Sequence, residues 1–363
     1  MKYNKDEKAL IWLANVEYNY VPKKHALLEL YNNPSELYDN FNIDNQKIRA
    51  LLAPADIAKM ELAKDDKFID TFIANCLKQE IIIVTLASDA YPELLKETDK
   101  PPLVLYCKGD ISLLNTECIA IVGTRRPTTY GKEITYKFGF ELAKAGITVV
   151  SGLAYGVDTQ ALNAALDANG KTIAVLGSGV NHIYPASNTE LANKIIEKGL
   201  LISEYKPNDK PERYTFPERN RIVAGLSKGT LITEAGEKSG TMHTKDYALD
   251  YNRNLFVIPG RLTDKLSIGC NNIIKSLQGA MVLEVADILE IYNLKQTKDK
   301  FFGIQLDYND ELVLSYIDVS DPVHYEILLR KCKFASRELN TILMRLELKG
   351  LIKKEPGNFY YKK

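Results

Sequence analysis

Between residues 81 and 292, short apolar runs rich in β-branched residues alternate with amphipathic segments, and this alternation limits the possible folds more than any other feature. The runs are IIIVTL (81–86), CIAIVG (118–123), ITVVSG (147–152), TIAVLG (172–177), GLLISEY (199–205), GTLITEAG (229–236) and LFVIPG (255–260). Several are too continuously apolar for a strand with one wet face, which favours a parallel sheet covered on both faces. The segments between them have helical spacing, as at Ile134, Phe138 and Leu142. The pattern predicts an α/β fold with a doubly wound sheet.

Residues 1–80 contain little glycine and carry apolar residues at helical spacing, such as Leu10, Leu13 and Ala14. This pattern predicts a small bundle of short helices. Residues 293–308 have the polar composition of a linker. The predicted parts of the chain are therefore a helical domain (1–80), an α/β domain (81–292), a linker (293–308) and a third domain (309–363).

The third domain has the order of elements of a winged helix-turn-helix. We expect helices over 309–317 and 322–332, a third helix that begins at Ser336, and two strands that turn at Pro356-Gly357. Residues 323–363 carry ten Lys and Arg against four Glu. A phosphate backbone attracts a patch of that sign, and a winged helix that binds protein is an equally open interpretation.

Composition excludes several classes of protein. Apolar residues make up 45% and charged residues 26% of the 363 positions, which excludes disordered and fibrous classes. No apolar run approaches the roughly 18 residues that span a bilayer, and the N-terminus turns polar too soon for a signal peptide. The five cysteines are scattered without a CxxC pair, which favours a reducing cytoplasm over disulfides or zinc. With 47 basic and 47 acidic residues, only local charge clusters can indicate a nucleic-acid partner.

Ligands of an open parallel sheet bind at the carboxyl ends of its strands, beside helix N-termini. The first loop at such a position is Gly123-Thr124-Arg125-Arg126-Pro127. Two arginines at the positive end of a helix repel unless an anion lies near, which favours a phosphate site over a plain βα turn. The second and third glycines of a dinucleotide fingerprint are missing.

Two further loops are weaker candidates. Ser151-Gly152 ends a predicted strand, and the nearby Asp158 is explained by a capping role at the next helix. Gly177-Ser178-Gly179 follows another strand, but Pro185 intervenes before the next helix and spoils a phosphate geometry. A structural role is the preferred interpretation of the neighbouring His182.

The fourth candidate combines two segments. Phe216-Pro217-Glu218-Arg219-Asn220-Arg221 places an aromatic ring beside two arginines and an amide. Such a set stacks on a base and holds a phosphate, whereas a helix start with solvated arginines is the plain alternative. Ser239-Gly240-Thr241 opens another predicted helix and is a candidate anion site.

Groups suited to catalysis are sparse. The four histidines lie in different segments without metal-ligand spacing, and neither a GxSxG elbow nor a P-loop is present. Glu204 and Glu234 end strands, but no base is matched to either, so a structural role is preferred for both. We expect no catalytic residue, no metal and no cofactor.

Nine spaced motifs in residues 88–290 resemble the DNA-processing protein A (DprA/Smf) family in order and spacing. The motifs include GTRRP…YG (123–131), SGLAxGVD (151–158), TIAVLGxG (172–179), IYP (183–185), LISEY (201–205), FPxRNRI (216–222), EAxxxSGT (234–241) and VIPG…GCNxII (257–274). The flanking regions fit the same family, in which a helical domain similar to a sterile alpha motif precedes the sheet and a winged helix follows it.

The resemblance implies an extended Rossmann fold that binds single-stranded DNA in a basic pocket, usually as a homodimer. The scattered cysteines and the short apolar runs favour a cytoplasmic protein that no membrane anchors. Family members protect incoming strands in natural transformation, and they help to load a RecA-type recombinase while displacing single-strand-binding protein. The nucleic-acid-binding set that we predict is Gly123, Thr124, Arg125, Ser151, Gly152, Phe216, Arg219, Asn220, Arg221, Ser239, Gly240 and Thr241.

Two alternatives stand beside a non-enzymatic DNA binder. One is a nucleotide-binding enzyme similar to the lysine decarboxylase-like phosphoribohydrolases, whose PGGxGTxxE loop is only faintly matched by residues 227–234, where the Pro-Gly-Gly is absent. The other is an assembly protein with a vestigial pocket, and the arginines of the loops speak against it.

Overall fold

The computed structural model describes residues 2–16, 21–293, 308–318, 321–332, 334–348 and 350–362. The chain forms two compact units, residues 1–297 and 298–363. The predicted linker over 293–308 lies outside the described residues except for its two ends.

Helices open the first unit, as the spacing of apolar residues predicts. Asn4 begins the first of them in a capping box, because its side chain accepts a hydrogen bond from Glu7 N at 3.0 Å while the Glu7 carboxylate accepts one from Asn4 N at 2.9 Å. Trp12 packs edge-on against Tyr38 and Phe41, with ring centroids 5.2 and 5.0 Å away. The helices are α1 (Lys5–Asn15), α2 (Val21–Leu28), α3 (Pro34–Asn40), α4 (Gln46–Leu51), α5 (Pro54–Leu62) and α6 (Asp66–Lys78).

The sheet of the first unit has nine strands in the order β1-β2-β6-β5-β4-β3-β7-β8-β9. All neighbours from β6 to β9 pair in parallel. The strands are β1 (Ile82–Thr85), β2 (Val104–Gly109), β3 (Cys118–Val122), β4 (Thr148–Ser151), β5 (Thr172–Val175), β6 (Leu200–Ser203), β7 (Gly229–Ile232), β8 (Asn254–Val257) and β9 (Ala280–Met281). The predicted doubly wound α/β class is confirmed.

One edge of the sheet differs from the expected parallel arrangement. β1 pairs antiparallel with β2, and β2 pairs antiparallel with β6. β2 lies in a segment that the alternation did not single out. A parallel pair needs a long crossover, whereas β1 and β2 are joined by a connection whose only helix is the short α7 (Glu93–Lys96).

Helices cover both faces of the sheet. Alternate residues of β3 point to opposite sides, so that Ile119 and Ile121 pack with α8 and α9, whereas Ala120 and Val122 face α11, α12 and α13. α1 to α6 share a third apolar cluster with Tyr106 of β2 and with α10. These helices are α8 (Thr129–Lys144), α9 (Val157–Asp167), α10 (Thr189–Lys198), α11 (Thr215–Gly225), α12 (Thr241–Asp250), α13 (Ile268–Lys275) and α14 (Ala286–Ile291).

The second unit is a winged helix with a three-stranded sheet. Its elements are α15 (Tyr308–Ser315), β10 (Val323–His324), α16 (Tyr325–Cys332), α17 (Ser336–Leu348), β11 (Ile352–Glu355) and β12 (Phe359–Lys362). The helix predicted from residue 322 begins instead at Tyr325, because Val323 and His324 pair with Tyr360 and Phe359 of β12. The turn at Pro356-Gly357 is confirmed, with Gly357 at φ 87°.

No helix in the described residues is both long enough and apolar enough to cross a membrane.

Candidate nucleic-acid interface

A cleft of about 420 Å³ opens at the carboxyl ends of β3 and β4, beside the first turns of α11 and α12. We call it the first cleft. Loops that are far apart in sequence meet there because parallel strands end at the same edge of the sheet. Nine of the predicted site residues line it, namely Gly123, Arg125, Gly152, Phe216, Arg219, Asn220, Ser239, Gly240 and Thr241.

Three of the predicted residues do not line this cleft. The Ser151 hydroxyl is buried and donates to Ile121 O at 2.7 Å, and Thr124 Oγ1 accepts from Arg126 N at 3.2 Å. The Arg221 guanidinium forms an ion pair with Glu204 at the end of β6. Arg221 lies two residues after Arg219 on α11, about 200° around the helix, so the two side chains leave opposite sides.

Arg219 forms part of the floor of the first cleft. Its side chain is 3% exposed, and its Nη1 donates to the carbonyls of Gly152 and Val175, which join the ends of β4 and β5. A Cβ at residue 152 would overlap the guanidinium, so any larger residue there requires the Arg219 side chain to move. The residue that the sequence presents as a phosphate contact is therefore buried against backbone.

Asp158 compensates the charge of Arg219. Its carboxylate accepts hydrogen bonds from Gly152 N at 3.1 Å and Ala154 N at 3.2 Å. Burial raises the pKa of Asp158, and the nearby Arg219 opposes that rise. Burial likewise lowers the pKa of Arg219, against the effect of Asp158. The predicted capping role is wrong, because Gly156 begins α9 without a side-chain cap. The Asp158 carboxylate instead ties together the loop before α9 and offsets the positive charge at the floor of the first cleft.

The rim of the first cleft is exposed and cationic. Arg125 lies over the Phe216 ring, with its Cζ 5.6 Å from the ring centroid. Tyr184 packs against the same Phe216 ring at a centroid distance of 5.3 Å and a tilt of 48°, and it remains 45% exposed. Tyr184 was absent from the predicted set, although the Ile183-Tyr184-Pro185 motif marked it. A guanidinium and two rings in contact offer both a charge for phosphate and a surface for bases.

Ser239, Gly240 and Thr241 form the wall of the first cleft at the start of α12. Thr241 N donates to Ser239 Oγ at 3.2 Å, and the two hydroxyl oxygens are 3.0 Å apart. Gly240 is open, since a Cβ there would meet nothing within 4 Å. The N-terminal end of the α12 dipole adds partial positive charge to this wall.

The loop that carries Arg125 is anchored at both ends. Thr124 N donates to Glu234 O at 2.8 Å, and the Glu234 carboxylate accepts from Thr128 N at 2.8 Å and Thr128 Oγ1 at 2.7 Å, just before α8. Gly156, at φ 81°, lies so close that a Cβ would come within 2.5 Å of Thr124 O. Glu234 and Glu204 are both engaged in structural contacts, one with a helix start and the other with Arg221.

Among the residues that the structure describes, no group of three or more His, Cys, Asp or Glu is placed to hold a metal ion.

Comparison with known proteins gives consistent results for both units. The family model described as DNA recombination-mediator protein A matches residues 82–293, and that of the DprA winged helix domain matches 304–358. The DNA processing protein DprA of Bacillus subtilis is 41% identical over 220 residues, which cover 60% of this chain and 73% of the relative.

Two solved structures extend the likeness to the fold. The X-ray structure of DNA processing protein A from Streptococcus pneumoniae matches with a TM-score of 0.68 and 31% identity, covering 80% of this chain and 98% of that one. The protein of the same name from Helicobacter pylori matches with a TM-score of 0.54 and 36% identity over 59% of this chain and 97% of that one. The structure of the Helicobacter pylori protein concerns its mode of binding single-stranded DNA.

Proposed function

Because the chain belongs to the DNA recombination-mediator protein A (DprA/Smf) family, we propose that its first cleft holds single-stranded DNA. The observation that carries the proposal is the arrangement at the rim, where the exposed Arg125 lies over the Phe216 ring and Tyr184 packs against that same ring. Unpaired strands expose bases next to phosphates, so a guanidinium in contact with rings matches both parts of the ligand. The Helicobacter pylori relative, which binds single-stranded DNA, supports this assignment.

The other residues of the first cleft take complementary roles in this proposal. Ser239, Gly240 and Thr241 receive a phosphate at the start of α12, where hydroxyls and the helix dipole favour an anion. Asn220 lies on the α11 side and can bond to a base edge or a sugar. Arg219 and Gly152 fix the shape of the floor, and the long-range field of Arg219 is balanced by Asp158.

The proposed activity is binding without chemistry on the strand. The two carboxylates that end strands at this side of the sheet, Glu204 and Glu234, are engaged with Arg221 and Thr128. A general base must reach the proton that it abstracts, and these contacts keep both carboxylates away from that role. No observation favours the phosphoribohydrolase alternative.

For the cellular role, we propose that the protein protects incoming strands in the cytoplasm and helps to load a RecA-type recombinase as a homodimer, displacing single-strand-binding protein. Support comes from the family description as a recombination mediator and from the five cysteines, all free and buried. The test measures recombinase ATPase activity on strands coated with single-strand-binding protein, with light scattering to determine subunit number. A monomer that leaves recombinase activity unchanged would refute this role.

The binding proposal is tested by fluorescence anisotropy with labelled oligo-dT and the matched duplex, at about 50 and 200 mM salt. We expect the single strand to bind more tightly than the duplex and to weaken as salt rises. The strand should be recovered at full length, and AMP incubated with the protein should release no adenine. A protein that ignores oligo-dT at low salt would overturn the proposal.

A further inference from the structure

A second cleft of about 730 Å³ adjoins the first, and Arg125 lines both. The residues that distinguish this second cleft are Arg126, Lys132, Tyr155 and Gln160, from the start of α8 and the start of α9. None of the residues that line it is acidic. Its net charge is therefore positive, and Arg125 forms the ridge between two cationic spaces.

The cations of the second cleft are available for a ligand. Arg126 and Lys132 are exposed, and neither side chain forms an ion pair or a hydrogen bond with the described residues. Two unpaired cations next to a third at the N-terminus of α8 repel one another, and an anion relieves that repulsion. A ligand with several negative charges along its length can contact all three cations of this cleft.

Tyr155 provides the aromatic surface of the second cleft. It lies in the loop between β4 and α9 and is 48% exposed, a value close to the 45% of Tyr184, which packs against Phe216 at the rim of the first cleft. A large ring that stays half exposed in a loop contributes little burial energy to the fold, but it offers a face on which a base can stack. Each cleft thus combines an exposed ring with arginine.

Both loops are held in place without a ligand. Val157 N donates to Thr124 O at 3.2 Å, which fastens the start of α9 to the loop of Arg125. On the other side, Asn188 Nδ2 donates to Leu153 O and to Thr159 Oγ1, each at 2.9 Å. A surface that is ordered in advance loses little entropy on binding.

We propose that a DNA strand in the first cleft continues over Arg125 into the second cleft, where Tyr155 stacks on a base and Arg126 and Lys132 contact phosphates. This inference rests on the proposed function, since it extends the same strand. Continuity across Arg125 favours one polynucleotide over a separate small anion, because the shared guanidinium lies between both spaces. The second cleft then sets how many nucleotides one subunit covers.

The experiment is a length series of labelled oligo-dT, from about four to sixteen nucleotides, titrated against the full chain. Wild-type affinity should rise with length until both clefts are filled. Tyr155→Ala should match the wild type on the shortest strands that bind and should lose about fivefold or more on long ones. Tyr155→Phe keeps the ring and should follow the wild type throughout.

Lys132→Ala tests the phosphate contact separately. It should reduce the salt slope of log affinity by about 0.7 on long strands and leave the slope on short strands unchanged. Lys144→Ala is the matched control, because it removes the same charge from the other end of α8. Melting curves verify that each variant is folded.

The outcomes separate the two proposals. If the wild type binds no strand, the proposed function and this inference both fail. If the wild type binds but Tyr155→Ala and Lys132→Ala coincide with it at every length, or weaken all lengths equally, the second cleft is not on the path of the strand. The same conclusion holds if inorganic phosphate occupies the clefts but the affinity for long strands is no higher than the affinity for short ones.

Discussion

The floor and the rim of the first cleft each contain an arginine, and the two arginines are held in opposite ways. Arg219 is buried, bonded to two carbonyls and balanced by Asp158, whereas Arg125 is exposed over an aromatic ring. A buried cation with backbone partners stabilises the fold, and an exposed cation beside rings remains free to meet a ligand. Two arginines of one cleft therefore have different roles, so the stability and the DNA affinity of each variant have to be measured separately.

Some of the basic residues of the winged helix also have partners within their own unit. Arg345 contributes to the basic patch of the second unit, yet its Nε donates to the buried Asp310 at 2.9 Å. Lys331 lies 5.4 Å from the Tyr316 ring centroid. Part of the local positive charge therefore already has partners within the unit, and its excess over glutamate does not by itself indicate a DNA site.

The largest expected effect is on stability, at Arg219. Arg219→Ala removes the buried cation whose charge offsets that of Asp158, together with the donor to two carbonyls, which should lower the free energy of unfolding by about 3–5 kcal/mol. Urea denaturation followed by circular dichroism measures it, with Arg126→Ala as the exposed control. A variant as stable as the wild type would show that the floor does not depend on this guanidinium.

Substitution of Arg125 should reduce DNA affinity and leave stability unchanged. Arg125→Ala removes a charged contact with phosphate, so affinity for oligo-dT should fall by about tenfold or more, from a loss of roughly 1.5–3 kcal/mol. The salt slope should fall by about 0.7, while the urea midpoint stays unchanged. Lys144→Ala controls for net charge, and equal losses in both variants would contradict a specific role of the rim.

Two glycines of the first cleft differ in the space that is available for a side chain. A Cβ in Gly152→Ala would overlap the Arg219 guanidinium, and the displacement should cost about 1–3 kcal/mol of stability. Gly240→Ala is the matched control, because its Cβ meets nothing within 4 Å. The melting temperatures of the two variants are measured in parallel. Equal values would mean that the floor of the first cleft accommodates a Cβ at residue 152.

The smallest effect is expected at Tyr184. Tyr184→Ala removes one half-exposed ring from the rim, which should weaken oligo-dT binding by about 1 kcal/mol, the lower end of the range for a stacked base. Tyr184→Phe should bind as the wild type does if stacking is the cause. Anisotropy titration compares them, and a phenylalanine variant as weak as the alanine variant would indicate that the hydroxyl matters instead.

The sequence predicted the α/β class because hydrophobic periodicity is local and visible in each strand. β2 was missed because no long amphipathic segment separates it from β1, so it falls outside the alternation of strands and helices, and its antiparallel pairing with β6 depends on residues far away in the chain. The helix start in the winged helix was misplaced by three residues because Val323 and His324 pair with β12, a contact that local pattern does not show.

For the candidate site, the loops that follow the strands predicted most of the residues correctly, since nine residues from these loops line one cleft. The opposite direction of Arg221 follows from helical rotation once the start of α11 is known. The burial of Arg219 depends on the ends of β4 and β5, which only the folded sheet brings together. Tyr184 joins Phe216 across elements in the same way, so no spacing rule identifies it.

The anchored loop of Arg125 has a kinetic consequence. Glu234 holds one end of this loop and Gly156 packs against its backbone, so an arriving strand meets a surface that needs no rearrangement. Association should then be a single diffusive encounter, accelerated by low ionic strength. The association rate would then be limited by diffusion of the strand, and the dissociation rate alone would set the lifetime of the complex.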